Sequence, residues 1–317
     1  MIRDDTTDRI HGRTMRRLAA LTTVLLVLAC SGCGWVRLLR PKTEAPATVA
    51  RDVGPVHTAL QAADEASAHL LLSAIGHTNT PGVELPVWRM VYRPFQPDLR
   101  LVLLLAGVHG NETAGVECTL QIVDRLASAS PASAPYDLDI VPLLNPWGYV
   151  HDLASGPGGV DIGTDFASFD SHEARILRRF LREKRYDLVI DLREDAEAEG
   201  FSIWQYGLPD TTVARRVVAQ VRAAGYPIED SAAVAFLRPK AGVVDAPMWG
   251  LTILRLTRRL TLAGYVRGEG VSALVFTVVT PAGMPLDDRT AMQRMAVETL
   301  IDAFGVPGTG GASEAAP

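Results

Sequence analysis

The chain is short of cysteine and of basic excess, and it has no long apolar run. Each shortage closes off a class of protein. Cys30, Cys33 and Cys118 are the only cysteines among 317 residues, too few for the disulfide framework of a small secreted scaffold. Cys118 falls in a predicted helix and is expected to be a small core residue. The formal net charge is -5 and no long basic stripe occurs, so nucleic acid is not an expected partner. The apolar run from Leu18 to Cys30 is shorter than the ~20 residues that cross a bilayer. No Gly-x-Ser-x-Gly elbow is present. Gly156-Pro157-Gly158-Gly159 lacks the Lys-Ser/Thr of a phosphate-binding loop and reads as a turn.

What is there first is a targeting segment. Arg13, Arg16 and Arg17 precede the short apolar run, which closes on Ala29-Cys30-Ser31-Gly32-Cys33-Gly34. A basic flank, a short apolar stretch and small residues form a secretory signal, with Met15 as an alternative start. The cysteine after it resembles a bacterial lipobox, with Cys30 or Cys33 as the acylated residue; a plain signal peptide or signal anchor is the other reading. The expected protein is therefore exported and held to a bacterial cell-envelope membrane through an N-terminal lipid anchor. Residues 1–33 form this signal, and 34–53 read as a tether mixing basic residues, Pro and Ala. The domain is expected over 54–306, and 307–317, rich in Gly, Ala and Ser, as a disordered tail.

Apolar content of 48% against 21% charged residues supports a sizeable core. His57 to Ile75 has helical spacing. Leu101–Val108, Tyr136–Leu144, Tyr186–Leu192, Phe201–Tyr206 and Ala273–Val279 read as strands. Gly115–Leu126, Ser171–Lys184, Thr211–Ala224 and Leu286–Phe304 read as helices. Their alternation predicts an α/β fold: a mixed, mostly parallel sheet flanked by helices on both faces. In such sheets, function collects at the carboxyl ends of the strands.

One such end reads Gly107-Val108-His109-Gly110-Asn111-Glu112. His109 and Glu112, three residues apart where a strand turns into a helix, can point at one ion, and zinc accepts that nitrogen and oxygen pair. The glycines permit the tight turn. By itself the pair is a weak signal, equally a polar loop.

Four segments in order add specificity. They are the His109–Glu112 phrase, Asn145-Pro146-Trp147-Gly148, Asp191-Leu192-Arg193-Glu194-Asp195 with Gly200-Phe201, and Thr277-Val278-Val279-Thr280-Pro281. With Asp161 to Phe166 between them, they resemble the zinc-carboxypeptidase and succinylglutamate desuccinylase/aspartoacylase superfamily over roughly Val87 to Phe304. The resemblance implies a zinc-carboxypeptidase-like fold. It also implies that His109 and Glu112 stand at two zinc-ligand positions, Arg193 at the third, and Val279 at that of the general base. Asn145, Trp147, Thr164, Glu194 and Asp195 are expected to line the pocket.

Two replacements break the pattern. A guanidinium has no lone pair and stays protonated, so Arg193 cannot bind a cation. Val279 cannot titrate, and loss of a general base costs about 10²–10⁴ in rate. Gly163-Thr164 stands where the family has the Asn-Arg that clamps a substrate carboxylate, and Trp147 replaces an acidic residue. The expectation is a degenerate member, a pseudoenzyme without cofactor, in which Arg193 pairs with Glu112 and His109 is an ordinary hydrogen-bonded imidazole. It would bind a peptide, a cell-wall fragment or a protein partner. The alternatives are a drifted pocket with Arg193 in solvent, a structural envelope protein without a ligand, or a divergent zinc metallohydrolase. The last would be a metallocarboxypeptidase or N-acyl-amino-acid amidohydrolase using His109 and Glu112, with Glu194, Asp195, His151 or His172 as a further ligand.

Overall fold

The structure is a computed structural model and describes residues 48–78, 84–130, 134–230 and 237–305. The signal, both lipobox cysteines, most of the tether and the tail lie outside the described residues.

Eight strands form one sheet. In chain order they are β1 (Leu70–His77), β2 (Pro86–Tyr92), β3 (Leu101–Leu105), β4 (Asp137–Val141), β5 (Leu188–Asp195), β6 (Ser202–Tyr206), β7 (Val243–Ala246) and β8 (Val275–Pro281). Their order across the sheet is β1-β2-β4-β3-β5-β8-β6-β7. The central run β4-β3-β5-β8 is parallel, as is the pair β6-β7, while β1, β2 and β6 bring antiparallel pairing. The middle strands read Leu-Val-Leu-Leu-Leu and Leu-Val-Ile-Asp-Leu because both faces are covered, so alternation disappears.

Helices α1 (Gly54–Ala66), α2 (Thr113–Ser128), α5 (Thr212–Ala223) and α8 (Leu286–Leu300) cover one face. They pack Leu60, Ile122, Val217 and Met292 against Leu104, Ile190 and Val278. On the other face, α4 (His172–Leu181), α6 (Met248–Leu256) and α7 (Leu262–Gly268) pack Leu177, Leu251 and Val266 against Leu103, Leu105 and Val189. Short α3 (Pro146–His151) follows β4. The expected mixed α/β architecture with helices on both faces is what the chain adopts.

Local readings differ in places. The helical pattern over 57–75 ends at Ala66, and residues 70–77 form an edge strand paired antiparallel with β2. Leu and Ala there favour helix intrinsically, but backbone pairing with β2 outweighs a propensity of a few tenths of a kcal/mol per residue. Strand β3 stops at Leu105 because Gly107 turns with φ +59°, and a Cβ there would lie 2.6 Å from Leu143 Cδ1. The closing helix is regular to Leu300 and ends in a π turn over Ile301–Gly305. Ser171 caps α4, its hydroxyl accepting from Ala174 N. The end of the expected tether is fastened to α3: Ala50 N and Arg51 N donate to Val150 O, and Arg51 pairs with Asp152 at 2.8 Å. Cys118 is a buried free thiol, its pKa pushed up to about 12 by burial.

Candidate functional site

At the carboxyl ends of β3 and β5 the chain gathers five ionisable groups. The turn after β3 carries His109, and Glu112 stands at the entry to α2. That turn is pressed against α3; a Cβ on Gly110 would sit 1.9 Å from Gly148 C, so only glycine fits. Strand β5 presents Asp191 and Arg193 on one face, two residues apart. Asp161 precedes a 3-10 turn, Ile162–Thr164, that closes over them.

The contacts are direct. Arg193 Nε donates to Glu112 Oε2 at 3.0 Å, and Glu112 Oε1 lies 2.7 Å from His109 Nδ1. His109 Nε2 lies 2.9 Å from Asp161 Oδ1, which also accepts from Gly163 N. Thr164 Oγ1 donates to the other Asp161 oxygen at 2.9 Å. Asp191 Oδ2 is 3.9 Å from Arg193 Nη1. Arg193 Nη2 stands 3.0 Å from His109 Nδ1 and 3.1 Å from Nε2. A group in the ring plane at those distances would collide with Cε1, so the guanidinium lies across the imidazole face.

This geometry fixes the charges. Both ring nitrogens of His109 face carboxylate oxygens, which only accept, so both donate and the ring is imidazolium. Burial and the Arg193 charge push its pKa down, but Glu112 and Asp161 push it up and prevail. Burial pushes the Glu112 carboxyl up, yet Arg193 and His109 outweigh it and hold it below the usual range. Asp161 is likewise held down, with burial opposing and His109 dominating. Arg193 stays charged: burial opposes, and Glu112, Asp191 and Asp161 raise its pKa. Asp191 is different. Burial pushes it up to about 6, and its Oδ1 is buried without a partner among the described residues.

The expected pairing of Arg193 with Glu112 is therefore present, and the reading in which Arg193 points to solvent is not. His109 is more than a bystander, since it bridges Glu112 and Asp161. Val279 lies beside Arg193 in the β5–β8 register and shares its face. Thr164 reaches the site through Asp161.

Other expected pocket residues are placed elsewhere. Asn145 is fully buried; its Oδ1 caps α3 through Gly148 N, and its amide nitrogen donates to Ser155 O. Trp147 packs against His151 with the rings tilted at 49° and centroids 4.6 Å apart. Glu194 points to the opposite face, as strand alternation demands of a residue next to Arg193. There it accepts from Ala114 N at 2.5 Å, satisfying an orphan donor at the start of α2, and pairs with Arg289. Asp195 accepts from Glu197 N. His151 bonds Thr48 O. Three participants were given no role in the site from sequence. Asp191 could have been found from the two-residue strand period. Asp161 lies 52 positions from its partner His109. Gln293 donates to Arg193 O across 100 positions, which no local pattern reports.

A catalytic zinc takes lone pairs from three protein ligands and leaves room for water. Here both His109 nitrogens carry protons toward carboxylates, and the third position is a guanidinium. Among the described residues no three His, Cys, Asp or Glu form a group able to hold a metal ion. The donor set, as arranged, does not fit zinc.

No protein-family model matches the sequence, and no curated protein matches it. Solved structures do. An inferred metallopeptidase from Shewanella amazonensis superposes with a TM-score of 0.65 at 18% identity, covering 79% of this chain and 92% of its own. A metallo-carboxypeptidase from Burkholderia cenocepacia gives 0.59 at 16%, over 79% and 68%. A succinylglutamate desuccinylase/aspartoacylase from Rhodobacter sphaeroides gives 0.51 at 16%, over 75% and 66%. At these identities the likeness establishes the fold, which is that of the zinc carboxypeptidases.

Proposed function

We propose that this chain is a cell-envelope lipoprotein whose carboxypeptidase-like domain binds a peptide, a cell-wall fragment or a protein partner without hydrolysing it. The observation that carries the reading is the Arg193 guanidinium bonded to Glu112 and laid across His109. Hydrolysis on this scaffold needs a polarised water and a base to take its proton. A permanent cation stands at the third-ligand position, and the base position holds Val279, which has no proton acceptor. Glu194 is turned away and held by Arg289, so it does not supply the missing base.

What remains suits binding. Glu112 is buried, whereas the Asp161 side chain is half exposed and that of His109 is 20% exposed. The solvent edge of the cluster therefore offers a carboxylate and an imidazolium, held rigid from behind by Arg193, to a ligand with polar groups of both kinds.

The test is metal analysis of the purified full chain after zinc loading and dialysis, with assays on peptides and N-acyl amino acids. The expected result is no stoichiometric zinc and no hydrolysis. About one zinc per chain, lost on His109→Ala, would replace this reading with that of a divergent metallohydrolase.

A further inference from the structure

On the sheet face that carries α4, α6 and α7, the molecule's charge balance reverses. Helix α4 buries Ile176, Leu177 and Leu181 and turns Arg175, Arg178, Arg179 and Arg182 outward, with Arg185 just beyond its end. These five arginines line one open groove of about 660 Å³, together with Tyr265 and Glu269. Arg255, Arg258 and Arg259, exposed at and after the end of α6, extend the patch. Arg255 reaches Glu269 at 2.6 Å, and Arg258 and Arg175 meet around Asp170. With Glu183, Glu269 and Asp170 that is eight arginines against three carboxylates, on a chain whose formal net charge is -5.

The same face exposes apolar surface. Helix α6 turns Gly250 and Leu251 into the core, yet Trp249, Ile253 and Leu256 on its other side are 59%, 42% and 79% exposed. Their spacing of four and three residues sets them in one stripe. An apolar stripe containing tryptophan on a layer rich in arginine is how an interfacial helix meets anionic lipid. No described helix is long and apolar enough to cross a membrane.

We propose that this face rests on an anionic bilayer surface: α6 inserts Trp249, Ile253 and Leu256 among the lipid headgroups, and the α4 arginines pair with lipid phosphates. Charge complementarity selects a lipid surface over a second copy of this chain, whose matching face would be equally cationic. A soluble polyanion would satisfy the arginines but leave the apolar stripe in water. The proposal is independent of whether the site at His109 binds a ligand.

The full chain is incubated with vesicles of neutral phosphatidylcholine and with vesicles containing phosphatidylglycerol, and sedimented. An N-terminal anchor would act alike on both, so the readout is the difference between them. The expected result is stronger, salt-sensitive binding to the anionic vesicles. Arg179→Gln with Arg182→Gln weakens it roughly thirtyfold, the effect of two basic side chains near such a surface. A blue shift of tryptophan emission on those vesicles is lost in Trp249→Leu, while circular dichroism shows each variant folded. Equal binding to both vesicle types, or anionic binding unchanged in the double variant, overturns the proposal. So does capture by soluble heparin with no preference among vesicles.

Discussion

Gly163 and Arg193 divide one space between them. A Cβ built on Gly163 would lie 2.7 Å from Arg193 Nη2 and 2.5 Å from His109 Nε2. The long side chain at 193 fits because position 163 has none. The asparagine that the carboxypeptidase pattern puts at 163 would have no room beside this guanidinium. The two departures from the pattern are therefore sterically coupled.

That coupling is measurable. Gly163→Asn alone should destabilise the domain by about 1–3 kcal/mol, the usual cost of overpacking. Combined with Arg193→His, which removes the guanidinium, the same substitution should cost less, with a coupling energy on the order of 1 kcal/mol in a double-mutant cycle from urea unfolding. Additive effects would show that the two positions do not share space in solution.

The scaffold should accept zinc when the cation is withdrawn. Arg193→His supplies a lone pair beside His109 and Glu112, and Val279→Glu adds a carboxylate on the adjacent strand in direct register. The double variant should hold about one zinc per chain and gain thermal stability in its presence. Metal analysis and a melting curve with and without zinc check this. A double variant that folds normally yet retains no zinc would mean that the frame around the site has changed too.

Acid stability should draw in part on Asp139 on β4, along with Glu112 and Asp161, whose carboxyls are also held down. Its buried carboxylate accepts from Arg89 at 2.7 Å, Arg93 at 2.8 Å and Tyr186 at 2.7 Å, and lies 3.2 Å from Lys184 Nζ. Burial pushes its pKa up, but the bonds from Arg89 and Tyr186 bring it down to about 2. A folded pKa below the unfolded value of about 3.9 adds stability that is complete above roughly pH 4 and disappears as pH falls toward 2. The contribution is on the order of 2–3 kcal/mol. Asp139→Asn should lower stability at neutral pH by about that amount and make the dependence of stability on pH between pH 4 and pH 2 shallower. A variant that keeps the parent's pH dependence there would show that the cluster does not carry it.

The sequence by itself determined the fold class, the strands β3, β4, β5, β6 and β8 and where β3 turns into the His109–Glu112 segment. Apolar runs, strand ends and turn glycines are local features, and local features fix where a buried strand stops. It also determined what positions 193 and 279 cannot do, because no arrangement of neighbours gives a guanidinium a lone pair or a valine a proton acceptor. Residues 57–75 show where it fell short: an edge strand exists only because β2 runs beside it. The tertiary structure alone decided what joins the Arg193–Glu112 pair. Asp161 reaches His109 across 52 positions and Gln293 fixes the Arg193 backbone across 100, while Gly163 makes room. Contacts over such separations follow from how the layers pack, and packing depends on every element at once.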